Sequence, residues 1–383
     1  MPNEITPLNL YGAEFSYFTG KLEGVLRYAE LAYQRLPGSP VGKETNNIGV
    51  RQVPSLELAD GRWLTDTTPI IAWLDQQFPD LELIPKNPVL AFFSRLLEDY
   101  ADEWLWRPAM HFRWSYEESA KHLSRVLIEE NARDVPAPAI LKRYMLRNRQ
   151  RAVYVQGDGV SPDTFEHVEK IYHDSLAQLS AIFAERPYLL GDRPSLADFG
   201  FFGPMFRHFA LDPASARIMR ETAPAVNEWS ARLWNARASS CGRELLDHVP
   251  DDWGPILKSI GSAYLPYLNE NAQAWAAEQS HYDCVIEGAP YRNIRTSRYR
   301  VWCLEELRRH YLELSDEQQQ KARDILETNG CWAPLWSVET RSSGVDPDRE
   351  APFSGGHSMT GVSRNNADKF YWMPVPKVRP KSV

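Results

Sequence analysis

The chain has 383 residues, enough for two or three domains, and 43% of them are hydrophobic, as in a packed globular protein rather than a disordered one. Its 43 basic and 51 acidic residues leave a net charge of −8, which argues against a general nucleic-acid binder. The four cysteines (Cys241, Cys284, Cys303, Cys331) stand far apart with no CxxC, so neither a zinc site nor a disulfide framework is expected. No stretch approaches the ~20 apolar residues of a membrane span. With Glu4 and no long apolar run near the start, no signal peptide is visible, and a cytoplasmic location is the expectation.

In chain order, Leu8 to Tyr11 reads as a short strand ending at Gly12. A helix is predicted over 21–36, because Leu22, Val25, Leu26, Ala29 and Ala32 share one face, with Pro37-Gly38 as its stop. A short second strand is expected within 39–50. Leu56 and Leu58 alternate with polar neighbours as in a strand. Asp60-Gly61 predicts a tight hairpin turn with positive φ at both central residues. Thr65, Asp66 and Thr67 can cap a helix that begins near Pro69 and runs to Phe78. The order β-α-β, then β-β-α, is a thioredoxin-like layout. Leu81 to Pro88 reads as a linker, broken by Pro85 and Pro88.

Beyond it the pattern turns helical. Val89 to Trp106 has apolar residues at helical spacing, and the pattern resumes to Glu129 before a break at Arg133 to Pro138. A basic run (Lys142, Arg143, Arg147, Arg149, Arg151) reads as a solvated helix face, with an acidic partner as the competing reading. Thr164 to Ala184 is amphipathic. Ser195 and Asp198 have capping-box spacing and open a strongly apolar run, Phe199 to Phe209. Ala223 to Trp234 supplies another helix. Past residue 245, helices are predicted at Tyr264–Ala277, Tyr299–Tyr311 and Asp316–Leu326, a hairpin around Gly288, and an irregular tail from Arg341. Trp275, Trp302, Trp332 and Trp336 make this region too apolar to float free, so it should pack on the helices before it.

The segment Arg51-Gln52-Val53-Pro54 through Asp66-Thr67 resembles the glutathione-binding half of the thioredoxin-like domain in the glutathione transferase superfamily. The segment Tyr188 to Phe199 resembles the helix-capping motif of that family's C-terminal domain, a folding element. The resemblance implies an α/β thioredoxin-like N-terminal domain at 1–82 and an all-α bundle at 88–245. Residues 246–383 would be an additional, mostly helical extension packed on the bundle. It further implies a cis Pro54, a backbone contact of Val53 beside Gln52 to the cysteinyl part of glutathione, and a γ-glutamyl contact at Asp66 and Thr67. Ser16 falls at the position of the hydroxyl that steadies the glutathione thiolate, with Tyr17 and then Tyr11 as alternatives. A hydroxyl donor and a helix N-terminus both lower a thiol pKa, which is about 8.5 when free. No cysteine lies in this stretch, so a mixed-disulfide mechanism is disfavoured.

A second substrate would lie against the first long helix of the bundle. There Tyr100, Trp104, Arg107, His111 and Trp114 follow i, i+3 and i+4 steps along one stripe. A core stripe with satisfied polar tips is the competing reading. No phosphate loop, GxGxxG, HExxH or GxSxG motif is present, and no metal is expected. The expected function is a glutathione-dependent transferase acting on an apolar or aromatic electrophile, with a homodimer implied by the resemblance. A glutathione-dependent lyase or ether-cleaving enzyme, and a non-catalytic interaction protein of the same fold, remain as alternatives.

Overall fold

The computed structural model describes residues 5–38, 43–49, 52–131 and 135–355. Strand β1 (Leu8–Tyr11) buries Leu8 and Leu10 completely, and Asn9 and Tyr11 face the other way. Helix α1 (Tyr17–Tyr28) follows, then β2 (Tyr33–Leu36), α2 (Lys43–Ile48), β3 (Ser55–Glu57), β4 (Trp63–Thr65) and α3 (Thr67–Gln77). The sheet order is β2-β1-β3-β4; β1 runs parallel to β2 and antiparallel to β3. This is the thioredoxin-like layout.

Two local predictions need correction. The first helix starts four residues earlier than expected and stops at Tyr28, so the second strand lies at 33–36 rather than within 39–50. Residues 43–48 are helical, while 39–42 and 50 fall outside the described residues. The stop is a Schellman motif. Leu31 N–H bonds to Leu26 C=O (3.0 Å) and Glu30 N–H to Arg27 C=O (3.2 Å), with Glu30 at φ +56°. Glutamate in place of the usual glycine hides that stop from the sequence. Ser239 compensates by donating its N–H and hydroxyl to the Glu30 carboxylate (2.9 and 3.0 Å). The hairpin at Asp60-Gly61 is also wider than predicted. Only Gly61 has positive φ (+88°), and Leu58 N–H bonds to Arg62 C=O across a longer loop.

The helical part comprises α4 (Pro88–Glu103), α5 (Trp106–Trp114), α6 (Glu117–Asn131), α7 (Ala139–Gln150), α8 (Phe165–Glu185), α9 (Leu196–Pro204), α10 (Pro213–Thr222) and α11 (Pro224–Asn235). Every residue of α9 is buried, and it packs on both α4 and α1, which couples the sheet layer to the bundle. Its start is fixed by Asp198. The buried carboxylate accepts from Ser195 N–H (3.0 Å), Ser195 Oγ (3.1 Å), Leu189 N–H (2.9 Å) and Trp229 Nε1 (3.3 Å).

After residue 245 come α12 (Gly254–Ser259), α13 (Leu265–Ala276), β5 (His281–Ile286), β6 (Ala289–Arg295), α14 (Arg298–Leu312), α15 (Asp316–Thr328) and α16 (Trp332–Trp336). The β5–β6 turn uses Glu287 (φ +49°) and Gly288 (φ +84°), as a two-residue hairpin requires. Helices α14 and α15 pack back on α4. Residues 337–355 are irregular, and the rest of the expected tail lies outside the described residues. Among the described residues, no helix is long and apolar enough to cross a membrane.

Candidate functional site

The loop from β1 delivers Ser16 to the N-cap of α1, where its Oγ accepts from Thr19 N–H (3.3 Å). Accepting that bond leaves the Ser16 hydroxyl proton available to a ligand. The neighbouring hydroxyls are committed elsewhere. Tyr17 is buried and donates to the Ala101 carbonyl, and burial raises its pKa well above the ordinary tyrosine value. Tyr11 donates to Glu57 Oε2 (3.1 Å) on the sheet.

Ser16 opens on a cavity of about 410 Å³. Gln52 and Val53 line it from the sheet side, and the Val53–Pro54 peptide is cis. Pro54 is buried where the chain turns into β3. The opposite wall is apolar and aromatic, with Trp106, Met110 and Trp114 of α5 and Tyr154 beyond α7. Its far end carries Arg295, Ser297 and Arg300 from the region after residue 245, a contribution the sequence reading missed.

The predicted stripe is only partly on this wall. Trp114 lines the cavity; Tyr100, Trp104, Arg107 and His111 do not. The chain breaks phase at Trp104–Leu105, between α4 and α5, so a register projected through the break selects the wrong face. Arg107 is fully buried beneath Tyr267 (4.2 Å to the ring centroid) and Trp104 (4.6 Å) and bonds to Asp158. His111 contacts Glu169 (3.1 Å), and burial lowers its pKa. Tyr100 packs edge-on against Tyr264. The residues that do face the cavity, Trp106, Met110, Arg113 and Trp114, keep helical spacing within α5 alone.

Arg113 and His208 complete the wall near Ser16. Arg113 is held bidentately by Asp212 (2.7 and 3.0 Å) and donates to the Phe15 carbonyl (2.9 Å), directly before Ser16. His208 Nε2 lies 2.7 Å from Arg113 Nη1. Burial and the Arg113 charge push His208 well below its ordinary pKa, so the ring is a neutral acceptor. No local motif announced either residue.

Gln52 also lines a second, smaller space of about 30 Å³, beside Asp66. Asp66 caps α3, its Oδ1 accepting from Thr68 N–H (3.3 Å). Its Oδ2 accepts from the Tyr299 hydroxyl of α14 (2.8 Å). Burial raises the carboxyl to about 6, opposed by the Tyr299 bond and the Lys21 charge. Thr67 is buried in the first turn. Lys21 sits in a buried contact with Glu98 and Asp102 rather than at the start of α1. Residues 345–355 close this space from outside. Thr65 N–H bonds to the Pro352 carbonyl (3.1 Å), and Phe353 stacks edge-on against Trp73. Among the described residues, no group of side chains could hold a metal ion.

The family model of the glutathione S-transferase N-terminal domain matches residues 10–82, and that of the C-terminal domain matches residues 162–232. No curated protein matches the chain. Solved structures with a similar arrangement include a glutathione S-transferase from Rhodospirillum rubrum F11. It is 20% identical, covers 59% of this chain and 86% of its own, and has a TM-score of 0.37. A beta-etherase from Sphingobium sp. strain SYK-6 is 22% identical, covers 59% and 94%, and has a TM-score of 0.41. A glutathione S-transferase from Methylobacterium radiotolerans, in complex with glutathione sulfonate, is 17% identical and covers 63% and 99%, with a TM-score of 0.37.

Proposed function

Because the chain belongs to the glutathione S-transferase superfamily, we propose that it binds glutathione and presents its thiolate to an electrophile in the large cavity. In this reading 1–82 holds glutathione, 88–245 holds the electrophile and 246–383 closes the cleft. Val53 pairs with the cysteinyl backbone beside Gln52, Asp66 and Thr67 receive the γ-glutamyl end, and Ser16 donates to the sulfur. The observation that carries the reading is the free hydroxyl proton of Ser16 in a cavity shared with Gln52 and Val53. A hydroxyl donor and the N-terminus of α1 both favour the charged thiol. The thiolate then forms a C–S bond as the leaving group departs with the electron pair. Cleavage of an aryl ether is the same displacement with an alkoxide or phenoxide leaving. Association of two copies and a cytoplasmic location belong to this reading through the resemblance.

One observation favours a non-catalytic binding module. Asp66 is engaged by Tyr299, and the adjoining space of about 30 Å³ holds little more than a water molecule. A γ-glutamyl group reaches Asp66 only if residues 345–355 lift from β4. Ser16→Ala separates the two readings. For the enzyme, the pKa of bound glutathione rises in a thiolate absorbance titration. Turnover of an aryl halide falls by about 10- to 1000-fold, with glutathione affinity within a few-fold. Unchanged turnover and thiol pKa would remove Ser16 from the mechanism.

A further inference from the structure

The charged side chains on the cavity wall are, with one exception, tied to partners inside the fold. Arg113 is held by Asp212. Arg300 is shared by Glu103 (3.1 Å) and Asp158 (2.9 Å), and Asp102 contacts Lys21. Arg295 differs. It is the last residue of β6, half-buried, and lines the cavity. Among the described residues its guanidinium makes no hydrogen bond and has no carboxylate at ion-pair distance.

Its surroundings disfavour an unpaired guanidinium. Burial and the neighbouring Arg149 disfavour its charge, while Tyr154 and the charge of Asp158 support it. Asp158 itself is already engaged by Arg107, Arg300 and Tyr267. A partly desolvated guanidinium beside a second cation is unfavourable until an anion arrives. The backbone also passes close to its edge, at a position that carries no side chain, with a Cβ at 157 placed 3.2 Å from the Ala152 carbonyl. Position 157 is glycine, and a Cβ there would stand 3.6 Å from Arg295 Nη2. The planar fork of an arginine matches a carboxylate through two parallel hydrogen bonds. The adjacent wall is aromatic, with Trp106 and Tyr154 in edge contact (5.6 Å between centroids).

We infer that the second substrate is an aromatic carboxylate, its ring among the cavity's aromatic side chains and its carboxylate on Arg295. The electrophile, rather than glutathione, supplies that carboxylate. The groups near Arg295 include Arg149, Tyr154, Gly157, Asp158 and, across the hairpin, His281, and none of the residues proposed to hold glutathione is among them. The inference rests on the glutathione reading only for which substrate is second, so binding is tested without glutathione.

Trp106 and Trp114 line the cavity and report on it by fluorescence quenching. In the intact chain, 3-nitrobenzoate should bind about tenfold or more tightly than the neutral 3-nitrobenzamide, the scale of a charge-assisted hydrogen bond. Arg295→Met should abolish that preference and leave the amide's affinity unchanged, and Arg295→Lys should retain part of it. A melting curve for each variant confirms folding. With glutathione added, 4-chloro-3-nitrobenzoate is the reactive probe. The sulfur bonds to the chlorine-bearing ring carbon, chloride leaves with the electron pair, and the thiol proton passes to solvent. Arg295→Met should raise KM for this acid and leave KM for glutathione unchanged. Equal binding of acid and amide, or a preference that survives in Arg295→Met, overturns the inference. So does a variant that loses glutathione affinity alone, because the carboxylate would then be glutathione's. A carboxylate preference without any conjugation supports this site and overturns the glutathione reading instead.

Discussion

The Asp66 carboxyl is placed under opposing demands. As the cap of α3 and as a partner for an ammonium group it works best ionised, yet burial raises its pKa from the usual 3.8 to about 6. Tyr299 and Lys21 moderate that shift, and Glu98 adds to it. The sign follows from proton binding. A carboxyl with a raised pKa holds its proton more tightly folded than unfolded. Its contribution to stability is therefore full below about 3.8 and is lost as pH rises through about 6. Ligand binding runs the other way, because the γ-glutamyl ammonium pairs with the carboxylate. Glutathione affinity should therefore rise with pH through about 6 and level off above it. Asp66→Asn should bind more weakly above that pH and show no such rise. Calorimetric affinities between pH 5 and pH 8 check both. A wild-type profile as flat as that of the asparagine variant would contradict the role given to Asp66.

Helix α9 joins the two halves of the molecule, and one carboxylate starts it. Asp198 is fully buried and serves four donors, so its removal leaves several N–H groups without partners away from water. Asp198→Ala should lower stability by about 3 kcal/mol, more than an exposed cap is worth, with glutathione affinity retained wherever the chain remains folded. Urea denaturation gives the number. A full melting temperature with lost binding would make Asp198 a site residue rather than a folding residue. Elements of this kind were legible in the sequence, because Ser195-to-Asp198 spacing, the Asp66-Thr67 helix start and the hairpin around Gly288 each follow from local backbone chemistry. The second strand was not, since Glu30 occupies the positive-φ stop where glycine would have marked it. The cavity wall was half legible. An aromatic and basic stripe was expected on the first long helix, but the break at Trp104–Leu105 puts Trp106, Met110 and Arg113 on the cavity in place of Tyr100, Trp104 and Arg107. Arg295, Ser297 and Tyr299 could not be placed at all, because only the folded chain brings residues more than two hundred positions apart to Asp66 and the cavity.

At the scale of the whole molecule, the described residues after 245 line the candidate site rather than stand apart from it. They supply the far wall of the cavity, a hydroxyl on Asp66, and the segment 345–355 that lies over β4. The contacts of that segment include the backbone hydrogen bond from Thr65 to Pro352, the buried Val345 and Pro352, and the half-exposed Phe353, which packs on Trp73 and lies beneath Arg62 (5.0 Å). On the proposed reading, cover of this kind would set the affinity observed, since a ligand that needs the open form binds in proportion to its population. Phe353→Ala should therefore tighten glutathione binding several-fold, as the cover loses an aromatic contact to Trp73. The most direct measurement is a calorimetric titration of glutathione into the intact protein and into Phe353→Ala at neutral pH. The account predicts saturable binding of one glutathione per chain in both, tighter in the variant. No saturable binding in either would show that the fold is kept here without its ligand.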